Sequence, residues 1–221
     1  MIFMPVTRPW AADRVIAALD ASDCPKEIFL YIDAGGCMRW VIELRRRGWA
    51  VDYTFSADAS FNLPIPSGMV ERRVKHNRMR LASQRIVSEV LGLNELILFL
   101  EDDTIVPPQT WTNLSRLISG GAKSASGVQR DRHGSGLLGL WSYDANIECF
   151  DPVDVEPDSG IRIVDAVGHY CFMTHGDTYV SAEIPPPITS IDRVHTRGCG
   201  PVAVDTGVWC GHLTESGEVI V

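Results

Sequence analysis

Apolar positions along this chain come in two textures, one on either side of residue 106. Residues 96 to 100 read Leu-Ile-Leu-Phe-Leu with no polar member. A strand buried on both faces of a parallel sheet needs such a run, because neither face meets water. Ile2 to Val6, Glu27 to Ile32 and Ala50 to Phe55 have strand length, and helical spacing fills the gaps between them: Val15, Ile16 and Leu19 on a helix over about 11–19, and a second helix from Met38 to Arg47. This alternation predicts a βαβαβ unit with parallel strands and helices on both faces. A long helix over about 70–91, with Val74, Leu81, Ile86, Val87, Val90 and Leu91 inward and Gly92 at its end, leads into the 96–100 strand. An amphipathic helix through Trp111, Leu114, Leu117 and Ile118 follows and stops at Gly120-Gly121.

Beyond that point short strand-like pieces dominate: Ser124 to Gln129, Leu137 to Trp141, Ile161 to Val167, His169 to Thr174, Val202 to Thr206 and Val208 to Cys210. One further helix is expected over Gly176 to Ala182. Residues 56–68, Arg130 to Gly136 and Arg193 to Arg197 read as loops, the last two Gly- or charge-rich covers flanking a pocket. The first half has the pattern of a nucleotide-binding α/β sheet, and the second that of a mixed-sheet extension. With 221 residues the chain is long enough for one well-buried core and short for two, so a single domain over 1–221 is expected, divided into halves 1–106 and 107–221.

Net charge is -8, which argues against a surface that coats nucleic acid generally, yet the charges are segregated. Residues 71 to 85 hold Arg72, Arg73, Lys75, Arg78, Arg80 and Arg85 against Glu71, whereas 144 to 183 are strongly acidic. The basic stretch is either a solvated helix face or a wall for an anionic ligand. Six cysteines without a CxxC pair read as reduced core thiols. No apolar run approaches the ~20 residues of a membrane helix, and no secretory leader is recognisable, so a cytoplasmic protein is expected.

Three carboxylates, Glu101-Asp102-Asp103, close the 96–100 strand. Adjacent acids repel, and they become tolerable where a cation screens them; the carboxyl end of a central strand is also where open α/β sheets bind ligands. A divalent ion held by carboxylates and substrate phosphates is one reading. A solvated acidic turn entering a helix at Pro107 or Pro108 is the other.

The run Ile97-Leu-Phe-Leu-Glu-Asp-Asp-Thr-Ile-Val-Pro-Pro, together with Val164-Asp-Ala-Val-Gly-His-Tyr-Cys-Phe-Met and Val204-Asp-Thr-Gly-Val-Trp-Cys-Gly-His212-Leu, resembles a GT-A fold glycosyltransferase close to family 2. The resemblance spans most of the chain. It implies an α/β, Rossmann-like nucleotide-binding sheet with helices on both faces and a mixed-sheet, acceptor-side C-terminal half. It also implies transfer of a sugar from a nucleotide-sugar donor, UDP-linked, to an acceptor hydroxyl, in inverting fashion.

Carried over residue by residue, the resemblance makes Asp103 a ligand of Mn2+ or Mg2+, with His212 a second. Asp102 would approach the ribose, and Glu101 would act through water or the base. Asp33, Thr7 and Arg8 would hold the base, although Asp before Gly-Gly is also an ordinary turn residue. Arg78, with Arg80 or Lys75 in reserve, would meet the diphosphate, since guanidinium matches phosphate oxygens in bidentate fashion. Where the family shows a Glu-Asp pair, this chain reads Ser190-Ile191-Asp192-Arg193 and lacks the first acid. Asp192 becomes the expected catalytic base and Asp165 its reserve; if neither serves, a retaining mechanism follows. A nucleotidyltransferase or a non-catalytic nucleotide- or sugar-binding protein are the competing functions. The acceptor is open: a hydroxylated base in DNA, a lipid phosphate, a protein or a glycan.

Overall fold

The computed structural model describes residues 1–33, 35–56, 71–130, 136–182 and 191–221, and of residues 35, 71–78 and 191 it describes the backbone alone. The first half is β1 (Ile2–Val6), α1 (Ala12–Ala21), β2 (Glu27–Ile32), α2 (Met38–Arg46), β3 (Ala50–Phe55), α3 (Glu71–Ile86), β4 (Leu96–Leu100) and β5 (Thr104–Ile105). The second is α4 (Thr110–Ser119), β6 (Ser124–Gln129), β7 (Leu140–Asp144), β8 (Cys149–Pro152), β9 (Ile161–Val164), β10 (Ala166–Val167), β11 (Cys171–His175), α5 (Gly176–Ser181), α6 (Ile191–Gly198), β12 (Val202–Leu213) and β13 (Val219–Ile220).

The main sheet runs β3-β2-β1-β4-β11-β6-β12-β13. Its first four strands are parallel, as the alternating pattern predicts, with Ile2 opposite both Ile28 and Leu98. The second half is mixed: β11 enters antiparallel between β4 and β6, and β6 is parallel to β12. A separate three-stranded sheet orders β10-β7-β8. The apolar faces of β1, β2 and β4 divide by strand alternation. Met4, Leu30 and Leu98 pack with α1 and α2 through Val15, Ile16, Trp40 and Leu44. Phe3, Phe29 and Phe99 face the other way, toward Ala82, Ile86 and Tyr179, and the Phe99 ring stacks on Tyr179 at 4.0 Å. Emptying such a site, as in Phe99→Ala, costs about 3–5 kcal/mol.

Three departures from the pattern bear on the site. Past Ile86 the long helix widens into a π turn over Val87–Leu91, closed by Gly92 at φ 102. The wider turn rotates Val90, expected inward, to 62% exposure while Val87 stays buried. Residues 193–197, expected as a loop, lie within α6, because His195 and Thr196 bury completely and the Thr196 hydroxyl accepts the Val167 N–H of β10 at 3.0 Å. The two strands expected over 202–210 are one continuous strand, β12, running to Leu213. The loops at 56–68 and 130–136 lie largely outside the described residues.

Candidate active site

The carboxyl ends of β1, β2 and β4 meet at one rim. The Asp33 N–H donates to the Val6 carbonyl at 3.0 Å, which sets the end of β2 beside the Thr7-Arg8 loop. Charge from both Asp33 and Asp102 reaches the Cys37 thiol, which burial first and these charges second push up to about 11.

Asp102 is 1% exposed and is turned back into the protein. Its Oδ2 accepts the N–H groups of Thr7 and Arg8, each at 2.6 Å, and the Thr7 hydroxyl at 3.3 Å, while Oδ1 takes the Arg8 guanidinium. The residue that sequence placed at the ribose therefore clamps the loop after β1; direct ribose contact would require Arg8 to leave. Thr7 and Arg8, placed by sequence at the base, are the other half of this clamp. Burial opposes the charge on Arg8, but Asp102 and Asp103 outweigh it and raise its pKa.

Asp103, 1% exposed, meets His212 across 109 positions of sequence: Oδ2 lies 3.1 Å from His212 Nε2 and 3.3 Å from Arg8 Nε. The contact is built by backbone. β12 pairs with β5, setting His212 opposite Thr104, and the Leu213 N–H donates to the Asp103 carbonyl at 2.8 Å. With Nε2 facing the carboxylate, the other ring nitrogen, Nδ1, is buried and has no hydrogen-bond partner among the described residues. The atoms that suit a cation such as Mn2+ or Mg2+ are Nε2 and Oδ2, whose 3.1 Å separation is about that of two neighbouring ligands on one ion, while Nδ1 points away on the far side of the ring. Among the described residues no group of three His, Cys, Asp or Glu has metal-ligand spacing, so protein would supply two ligands and substrate oxygens or water the rest.

A second constellation adjoins the first. Asp192, at the start of α6, receives Arg80 of α3 through Nε at 3.2 Å and a terminal nitrogen at 3.1 Å, and lies 3.0 Å from His169 Nδ1. His169 Nε2 is 3.1 Å from His195 Nδ1, and His195 Nε2 is 3.1 Å from Gln84 Nε2. The Gln84 amide nitrogen faces the carbonyls of Tyr179 and Ala182 at 3.0 and 2.7 Å, so it is the NH2 group. The tautomers follow from the other end: the Asp192 carboxylate, paired with Arg80, accepts, which puts the His169 proton on Nδ1 and leaves His169 Nε2 to accept the His195 Nδ1 proton.

Both rings are neutral. Burial and then Arg80 push His169 down to about 4 against the pull of Asp192, and burial with His169 holds His195 well below its usual value. Burial alone would lower Arg80, yet the Asp192 charge wins and its pKa is raised. The Asp192 side chain is 26% exposed, whereas that of Arg80 is 3% exposed, so the acid alone opens outward. Between the two constellations sits Glu101, half-buried, whose carboxyl is pushed up to about 7 by burial first, then by Asp103 and Asp192, with Arg80 and Arg8 opposing.

Arg80, a reserve for the diphosphate in the sequence reading, is instead the buried partner of Asp192. The side chains of Arg78 and Lys75 lie outside the described residues. Asp165, the reserve base, accepts the Tyr143 N–H at 2.8 Å and so belongs to the β7 backbone. His169, His195 and Gln84 were missed by sequence; the one signal was a histidine inside the otherwise apolar stretch 166–173.

No protein-family description matches the chain, and no curated protein matches it in sequence. Solved structures do. A putative glucose-1-phosphate thymidylyltransferase from Bacillus anthracis superposes with TM-score 0.53 at 8% identity, covering 96% of this chain and 88% of that one. HddC from Yersinia pseudotuberculosis gives 0.53 at 10% identity, over 96% and 92%. A197 from STIV gives 0.51 at 10% identity, over 100% and 92%. At such identities the likeness is one of fold: the chain has a mixed α/β, Rossmann-like fold.

Proposed function

We propose that the protein transfers a sugar from a nucleotide-sugar donor, UDP-linked, to an acceptor hydroxyl, with inversion. The observation that carries this reading is the meeting of Asp103 and His212 at 3.1 Å on the sheet rim beside the outward-opening Asp192. Asp103 and His212 would hold Mn2+ or Mg2+, which when bound neutralises charge on a departing nucleoside diphosphate. Asp192 is the base. Arg80 and the His169 proton fix its orientation, leaving its exposed edge to take the proton of the acceptor hydroxyl. Asp33 is assigned to the nucleobase, and Arg78 to the diphosphate.

A nucleotidyltransferase needs free backbone N–H groups after the first strand to cradle triphosphate. Here the Thr7 and Arg8 amides are consumed by Asp102, which favours sugar transfer. The test is release of UDP from UDP-sugars by purified protein in Mn2+. Asp103→Ala is expected to lose at least ~100-fold in rate, the scale of removing one strong electrostatic contributor. Since a buried acid also supports folding, His212→Gln is measured in parallel, with melting temperatures of both. Folded variants that turn over at the parent rate overturn the reading.

A further inference from the structure

On α6, one residue past Asp192, the chain turns to a different surface. The Arg193 guanidinium lies 4.3 Å over the Trp141 ring and that of Arg197 lies 3.5 Å over Tyr143. The arginines are four residues apart and so neighbours on the helix; the rings are two apart on β7 and so share its face. The result is a ladder of two guanidinium groups, each laid on an aromatic ring of the small sheet.

A ring face attracts the cation without using any N–H group, so stacking orients a guanidinium and leaves its donors in plane. Neither arginine meets a carboxylate or a carbonyl among the described residues, and the Arg193 Nε is buried without a partner. The nearby acids are engaged: Asp144, at the end of β7, bonds to Asn146, and Asp165, between β9 and β10, to the Tyr143 N–H. Two oriented, uncompensated forks side by side have more donors than the two oxygens of one carboxylate can fill, whereas a phosphate offers three oxygens to both.

We propose that Arg193 and Arg197 form a binding site for a phosphate group, with Trp141 and Tyr143 as its floor, and that this phosphate belongs to the acceptor. Asp192 at the head of the same helix then faces a hydroxyl of the molecule anchored there. That the anion is the acceptor's rests on the transferase reading; the site itself does not.

The structure supplies a reporter. Cys149 on β8 is exposed, the other five cysteines are buried, and Cys149 lies near enough to Arg193 for a thiolate there to act on it. Iodoacetamide, being neutral, is used to alkylate Cys149 in the intact protein while inorganic phosphate replaces chloride at constant ionic strength. The expected result is a saturable, several-fold slowing by phosphate, little slowing by acetate, and none in the Arg193→Gln, Arg197→Gln double variant, whose melting temperature confirms that it is folded. Unsaturable or absent slowing overturns the site, as does protection that survives in the double variant; equal protection by acetate overturns the phosphate assignment. No turnover enters this measurement, so loss of the transferase reading would leave its result standing, and the reverse.

Discussion

His169 Nδ1 donates to Asp192 Oδ1 across 3.0 Å, while the ring's other nitrogen meets His195 Nδ1 at 3.1 Å. A buried imidazole held at both nitrogens is a rigid donor, and a rigid donor holds a carboxylate in one orientation.

Two substitutions separate positioning from packing. In His169→Asn the side-chain amide stands where Nδ1 stood and still donates to Asp192; in His169→Gln it stands near Nε2 and reaches His195 instead. Both lose ring volume and are expected to lose comparable stability. His169→Gln is expected to fall roughly 100-fold in kcat with little change in donor KM, while His169→Asn keeps most of the rate, on the usual scale of acid-base contributions. Initial rates and melting temperatures decide it; equal rates for the two variants reject a positioning role.

Asp102 is a structural clamp. Removing it in Asp102→Ala leaves two backbone N–H groups without their acceptor and the Arg8 guanidinium with Asp103 alone, and a buried group left unsatisfied costs about 1–3 kcal/mol. The urea midpoint of this variant is expected to drop accordingly. A stability within about 0.5 kcal/mol of the parent, the range of ordinary surface substitutions, would return Asp102 to the ribose-facing role that the resemblance implied.

Stability is expected to fall as the pH drops from 6.5 toward 4. His169 titrates near 4 when folded and near 6.5 when unfolded, and His195 is shifted the same way, so in that window the unfolded chain binds more protons and acid favours it. Each histidine contributes up to about 1.4 kcal/mol per pH unit. Glu101 works in the opposite sense: its carboxyl, raised to about 7, stabilises the folded state below about 4.5, and that contribution is lost as the pH rises through 7. Asp102, raised by burial, works in the same sense as Glu101, so the expected loss on acidification is the share that the two histidines carry. Urea unfolding at pH 7, 6 and 5 measures the slope, and replacing both histidines by asparagine is expected to flatten or reverse it.

Legibility in the sequence followed burial. β1, β2 and β4 lie where the apolar pattern put them, because strands covered on both faces leave no polar alternation to confuse, and β3, half-exposed at the sheet edge, lies where the helix–strand alternation put it. α6 was read as a loop because its inward residues, His195 and Thr196, are polar, and hydrophobic periodicity cannot register a helix that buries hydrogen bonds. The short β5, β8 and β13 escaped for a related reason: strands of two to four residues are defined by their partners.

By itself the sequence determined a parallel α/β half ending in three acids, since the run of five apolar residues before Glu101 admits little else. Which donors reach each of those acids was decided by tertiary structure. Asp102 turned inward because the β1 loop presented two N–H groups and a guanidinium, Asp103 stayed at the rim because β12 delivered His212 to it, and Asp192 acquired Arg80 and His169 from elements far along the chain. Each of these partners arrives through strand pairing or helix packing over long separations, and a carboxylate's role depends on which donors reach it, which no local pattern encodes.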